Sequence, residues 1–156
     1  MLEQIILYFQ TSSDRWMEML TAHLLVSLTS LLIAIAIAVP AGIMCVCHRR
    51  LKKIFESVFG VLRIIPSLAI LVLMIPVMGT GFWPAVTALV LLAVPPILIN
   101  TIVGLDEVPV FMLETAKGMG MKPYQVWIHV RFPLALPPIL SGIKTSAVEV
   151  IASATL

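Results

Sequence analysis

The chain has 156 residues, of which 60% are hydrophobic and 12% charged, with a net charge of +2 and a mean hydropathy of +1.09. That apolar share lies beyond soluble domains and reads as an integral membrane protein whose dominant partner is the lipid bilayer. The net charge is too small and its cations too scattered for a nucleic-acid-binding face, which needs clustered positive charge to displace counterions.

The N-terminus opens Met1-Leu2-Glu3 without a basic region, and the apolar run that follows is too long for a signal-peptide core, so the start is expected to be retained. Residues 1–19 read as an extracytoplasmic segment. Within it Asp14, Arg15, Trp16 and Glu18 form either a short interfacial helix with Trp16 at the headgroups or an untethered terminus. The first long apolar stretch covers about residues 23–47. It ends with the two cysteines, Cys45 and Cys47, which are too close along one helix to bridge. Cys45-Val46-Cys47-His48 lacks a fourth ligand, so no metal is expected.

The second apolar stretch covers about residues 64–78. It reaches the roughly 20 residues a crossing needs only by starting near Phe55 or Val58, which puts Arg63 in its first turns. The third covers about residues 83–103 and the last about 134–156. Nothing alternates as a barrel strand would, and in lipid only helices satisfy their own backbone, so an all-α membrane fold is expected.

The basic residues gather in His48-Arg49-Arg50-Leu51-Lys52-Lys53 and at Lys117, Lys122 and Arg131, which assigns both loops to the cytoplasm and the N-terminus to the outside. The uncharged link Gly79-Thr80-Gly81-Phe82-Trp83-Pro84 then lies outside, with Phe82 and Trp83 as interfacial anchors. Residues 20–156 are expected to form one transmembrane domain with a cytoplasmic loop at 106–133. The chain stops in mid-apolar run, so a further segment or another chain is expected to supply a last helix.

That loop interrupts the oily sequence. Asp106 and Glu107 lead into Pro109, a favourable helix start, and a short helix to Lys117 is expected. Gly118 and Gly120 weaken it, Pro123 starts a second short helix carrying Trp127, and Pro133 ends that one. The pair would expose Phe111, Met112, Leu113, Trp127 and Ile128 around Glu114. From the residues alone, a knob for a partner's groove and a loop packed on its own bundle both remain open.

Glu114-Thr115-Ala116, Gly120, Trp127, Val130 and Phe132-Pro133 resemble the EAA loop of ABC importer permeases. Thr115 stands where that family usually has alanine, and Phe132 where it has leucine. Ile65-Pro66-Ser67-Leu68-Ala69-Ile70, Pro95-Pro96-Ile97-Leu98 with Asn100-Thr101, Ala116-Lys117-Gly118-Met119-Gly120-Met121, Pro133-Leu134-Ala135-Leu136-Pro137 and Gly142-Ile143-Lys144-Thr145 are similar to its osmoprotectant branch. Members of that branch import glycine betaine, carnitine, choline or related quaternary amines.

The resemblance implies a multi-span helical permease of the methionine-importer-like type, with a cytoplasmic coupling helix pair, in a bacterial inner membrane. It implies two cytoplasmic ATPase subunits, a second permease copy or paralogue, and an extracytoplasmic substrate-binding protein as partners. Glu114, Ala116, Lys117, Gly118, Gly120, Trp127 and Pro133 would then couple the ATPase to transport, with Glu114 meeting a basic residue of the ATPase. No cofactor is expected on this chain, since it has no Gly-x-x-x-x-Gly-Lys-Ser/Thr phosphate loop, and ATP and Mg would sit on the partner. Nor is any catalytic residue expected, since His23, His48 and His129 lie at separate membrane ends.

Pro66, Ser67, Asn100, Lys144 and Glu149 are candidates for the translocation path or for helix–helix contacts. Glu149 lies about 22 Å along the last span counted from Leu134. It lines a cavity for a cationic substrate or pairs with a polar group of a neighbour, and the second is favoured because relatives do not typically carry an acid there. Two rival functions are an ion- or proton-coupled secondary carrier, in which Glu149 would be the relay, and a non-transporting membrane scaffold. No inverted repeat supports the carrier.

Overall fold

The computed structural model describes residues 13–62, 67–79 and 81–154, and every regular element among them is a helix. Helix α1 (Ser13–Cys47) has 35 residues, a length of about 52 Å, which exceeds the roughly 30 Å hydrocarbon layer. Its first turn takes in Asp14, an acid at the positive end of the helix dipole. A break at His48 leads to α2 (Arg49–Leu62). Leu51, Phe55 and Phe59 recur at four-residue spacing on α2 and pack against the core, with the two phenyl rings stacked 5.6 Å apart.

Helix α3 (Ser67–Met78) has 12 residues, about 18 Å, too short to cross alone. The expected second span, begun near Phe55 or Val58, runs through residues 63–66, which lie outside the described residues. Among the described residues, three helices are long and apolar enough to cross a membrane: Asp14–Cys47, Phe82–Asp106 and Pro123–Ser153. Arg63 and Pro66 lie outside the described residues, as does the side chain of Ser67.

Helix α4 (Phe82–Asp106) is the central element, buried from Pro84 to Leu105 along much of its circumference. Ala34, Ala38 and Cys45 of α1 pack on it from one side and Val150 of the last helix from another, around Leu89, Ala93, Val94, Ile97, Leu98 and Ile102. Small residues permit this closeness. A Cβ on Gly42 of α1 would meet Thr101 Cγ2 at 2.7 Å, and one on Gly142 would meet Asn100 Cβ at 2.7 Å and Pro96 O at 3.0 Å. In lipid, helix association depends on such packing and on interhelical hydrogen bonds. Ser146 supplies one, its fully buried hydroxyl donating to Ala93 O at 2.9 Å.

After α4 come α5 (Val110–Gly118), α6 (Pro123–Val126), a π-helical turn (Trp127–Arg131) and α7 (Phe132–Ser153). Pro133 does not end the second short helix as the sequence led us to expect. The π turn joins α6 to α7 without a break, and Pro133 sits in the first turn of α7. The reason is local. A proline cannot donate to the carbonyl four residues back and crowds it, and here the turn before it widens so that Phe132 N–H donates to Trp127 O, five residues back.

Candidate functional site

The polar loop is built from α5, the turn after it, α6 and the π turn. Pro109 is the N-cap of α5, with φ −60° and ψ 129°, so the helix starts at Val110. At its other end Gly120 N–H donates to Lys117 O at 2.9 Å and Met121 N–H to Ala116 O at 3.2 Å. These crossed bonds form a Schellman motif, whose C′ residue must be left-handed, and Gly120 has φ +85°. Glycine takes that conformation without the clash a Cβ causes. Lys122 then opens α6, its N–H donating to Gln125 Oε1 at 2.8 Å, with Pro123 in the first turn. The expected sequence of helix, hinge and helix is therefore present, and the hinge is Gly120 rather than Gly118, which remains helical.

Leu113 packs against Leu105, Val108, Ala135 and Ile139, and Ala116 is buried, which fixes the inner face of α5. Glu114 consequently lies at the middle of the outer face, with Val110 and Lys117 on one flank and Phe111 and Gly118 on the other, since residues three and four apart are helical neighbours. All five are exposed. Among the described residues, the Glu114 carboxylate has no ion pair. Met119, Tyr124 and Ile128 of the same loop are exposed as well. Two residues expected on it point inward instead: Leu113 and Trp127 are half-buried in the cluster beneath. Both carry large apolar groups that gain more from the base of the bundle than from water.

The loop is fastened to α4 by groups that sequence reasoning did not bring together. Asp106, expected to lead into the loop helix, is also the last residue of α4. A carboxylate at the negative end of a helix is unfavourable unless cations offset it. Two do: Lys52 Nζ of α2 bonds to Asp106 Oδ2, and Arg131 Nη2 lies 3.8 Å from Asp106 Oδ1. Arg131 also donates through Nε to Leu105 O at 3.1 Å, and its guanidinium sits 4.8 Å from the centre of the Trp127 ring. The signal in the sequence was an acid ending a long apolar run, with basic residues clustered on both neighbouring loops.

The second group of candidates lies within the bundle. Asn100 of α4 donates through Nδ2 to Pro96 O at 2.8 Å and abuts Gly142 of α7. Lys144 is exposed and Glu149 half-buried on α7, and neither has an ion pair among the described residues. The described residues contain no group of three or more His, Cys, Asp or Glu side chains able to hold a metal.

Residues 34–156 match the family model described as the inner membrane component of binding-protein-dependent transport systems. The chain belongs to that family. This permease is 38% identical over 155 residues to the carnitine transport permease protein OpuCB of Listeria monocytogenes, a match covering 99% of this chain and 71% of that protein. It is 37% identical to the choline transport system permease protein OpuBB of Bacillus subtilis, again covering 99% of this chain and 71% of the relative. Its fold is similar to that in inward-facing structures of the MetNI methionine ABC transporter, with a TM-score of 0.76 at 22% identity, over 90% of this chain and 72% of that one. The permease is thus a membrane-embedded transport subunit of all-α, methionine-importer-like architecture.

Proposed function

We propose that this permease is the membrane-spanning subunit of an ATP-driven importer for quaternary-amine osmoprotectants, and that residues 106–133 seat in a cytoplasmic ATPase. The observation that carries the coupling role is the outward Glu114, which has no ion pair among the described residues and lies beside exposed Val110 and Phe111, on an elbow anchored beneath by Leu113 and Trp127. The substrate class rests on the relatives named for carnitine and choline transport. Closure of the ATPase subunits pulls the elbow, and because α6, the π turn and α7 run on as one helix, the pull is carried along α7 into the bundle. Access then alternates between the two membrane sides. ATP and Mg reside on the ATPase, and this chain binds no cofactor and catalyses no reaction.

The same reading makes the N-terminus extracytoplasmic and supplies a binding protein on that side and a second permease copy or paralogue in the membrane. Lys144 and Glu149 support that last partner. A charged side chain near mid-membrane costs about 2.5 to 3.5 kcal/mol even on insertion scales, and a facing permease or a water-filled path between the two offsets it. Asn100 serves the helix contact with Gly142 in this arrangement. Residues 1–19 precede a transmembrane domain at 20–156.

Reconstitution tests the reading. The permease is co-expressed with its ATPase, placed in liposomes with the binding protein, and uptake of labelled glycine betaine, carnitine and choline is measured with and without enclosed ATP. Uptake that requires ATP and the binding protein is expected. Uptake driven by a proton gradient without ATP establishes the carrier instead, and an ATPase that binds without any transport establishes the scaffold.

A further inference from the structure

Helix α2 has no covalent neighbour in the coupling loop, yet its Lys52 meets Asp106 at the point where α4 ends and the loop begins. On the opposite oxygen of the same carboxylate stands Arg131, from the turn where the loop leaves for α7. Arg131 is held in place twice more, by its bond to Leu105 O and by the Trp127 face. One acid therefore ties together the start of the loop, its end and an amphipathic helix that is remote in sequence. The structure assigns Asp106, Lys52 and Arg131 to a joint through which displacement of the coupling loop also moves α2, with Asp106 as its positioning residue. This rests on the coupling role proposed above and extends it, because a pull on Glu114 then reaches the bundle by two routes, along α7 and through α2.

The physical case lies in the geometry. A flexible lysine ammonium reaches one carboxylate oxygen, whereas the planar guanidinium is fixed by a carbonyl on one edge and an indole below, so the acid faces a fixed charge 3.8 Å away on the loop side and is hydrogen-bonded from the α2 side. The side chains are partly exposed, 30% for Lys52, 35% for Asp106 and 23% for Arg131. Such pairs contribute little to global stability, so loss of the joint should disconnect α2 without unfolding the bundle. The apolar face of α2, where Leu51, Phe55 and Phe59 pack against the core, still holds it to the bundle.

The test uses the complete complex and the Asp106→Asn and Asp106→Glu variants. Amide hydrogen exchange of residues 49–62 is measured in parallel with solute carried per ATP hydrolysed. The expected result for Asp106→Asn is faster exchange in α2, unchanged exchange in α1 and α4, and about a fivefold loss of solute carried per ATP. Asp106→Glu restores both. Faster exchange with full coupling overturns the proposal, because the joint is then only structural, and unchanged exchange overturns it because the tether is then absent. An unaltered complex that shows no ATP-driven uptake refutes the importer reading itself, and the exchange measurement, which needs no ATP, still decides whether Asp106 holds α2.

Discussion

Substitution of Gly120 isolates the backbone contribution to the elbow. An added Cβ there meets no atom within 4 Å, so side-chain crowding by the rest of the protein contributes nothing. What remains is the left-handed conformation, φ +85°, which costs an L-residue roughly 1 to 2 kcal/mol, with valine at the upper end because its branched Cβ is least tolerant. Gly118 provides the matched control, two residues earlier, equally open but helical. Alanine there removes glycine's helix penalty and is neutral or favourable by up to about 1 kcal/mol.

A change of 1 to 2 kcal/mol alters a local opening equilibrium roughly 5- to 30-fold. Hydrogen exchange over residues 116–121 reads it directly, since the Gly120 and Met121 amides are the donors of the motif. Gly120→Val should accelerate exchange there by that factor and reduce solute carried per ATP, while Gly118→Ala does neither. Gly120→Asn should fall between, as asparagine tolerates the left-handed region. Equal damage from Gly118→Ala and Gly120→Val, or from Gly120→Asn and Gly120→Val, refutes the argument, because positive φ would then not be what the position requires.

Truncation of Glu114 should leave the permease folded, since its carboxylate has no ion pair among the described residues, yet weaken a seated charge pair with the ATPase by about 2 to 5 kcal/mol. Glu114→Ala is therefore expected to abolish uptake while ATP hydrolysis persists, and normal uptake counts against the coupling role. Gly142→Ala acts inside the bundle. Its Cβ meets Asn100 Cβ at 2.7 Å and the Pro96 carbonyl at 3.0 Å, and because one of these is backbone the helices must part, at a cost of about 1 to 3 kcal/mol. Thermal unfolding in detergent should register the loss, and an unchanged midpoint refutes the close approach of α4 and α7.

What could be read from residues alone was set by local chemistry. Hydrophobic length identified the first, third and last helices, and Gly120 and Pro123 announced the elbow, because a left-handed C-cap and a first-turn proline depend on the residue itself. The Pro133 expectation failed for an instructive reason. Proline rules describe a regular α-helix, and a single π turn upstream relieved the crowding they assume, turning a stop into a continuation. Leu113 and Trp127 were placed on the surface because the period of a short helix does not say which face its bundle will cover.

The ionic joint lay beyond any local rule. Lys52 and Asp106 are 54 positions apart, and nothing in either neighbourhood names the other. The one available hint was energetic, an acid at the unfavourable end of a helix, which is stable only where cations converge on it. Helix α4 delivers that acid to the base of the bundle, the basic start of α2 returns to the same level, and the π turn presents Arg131 from the far side. The convergence follows from three helix lengths together, so it becomes visible only once the bundle is assembled, and it makes the position of α2 depend on a loop to which it is not joined by chain.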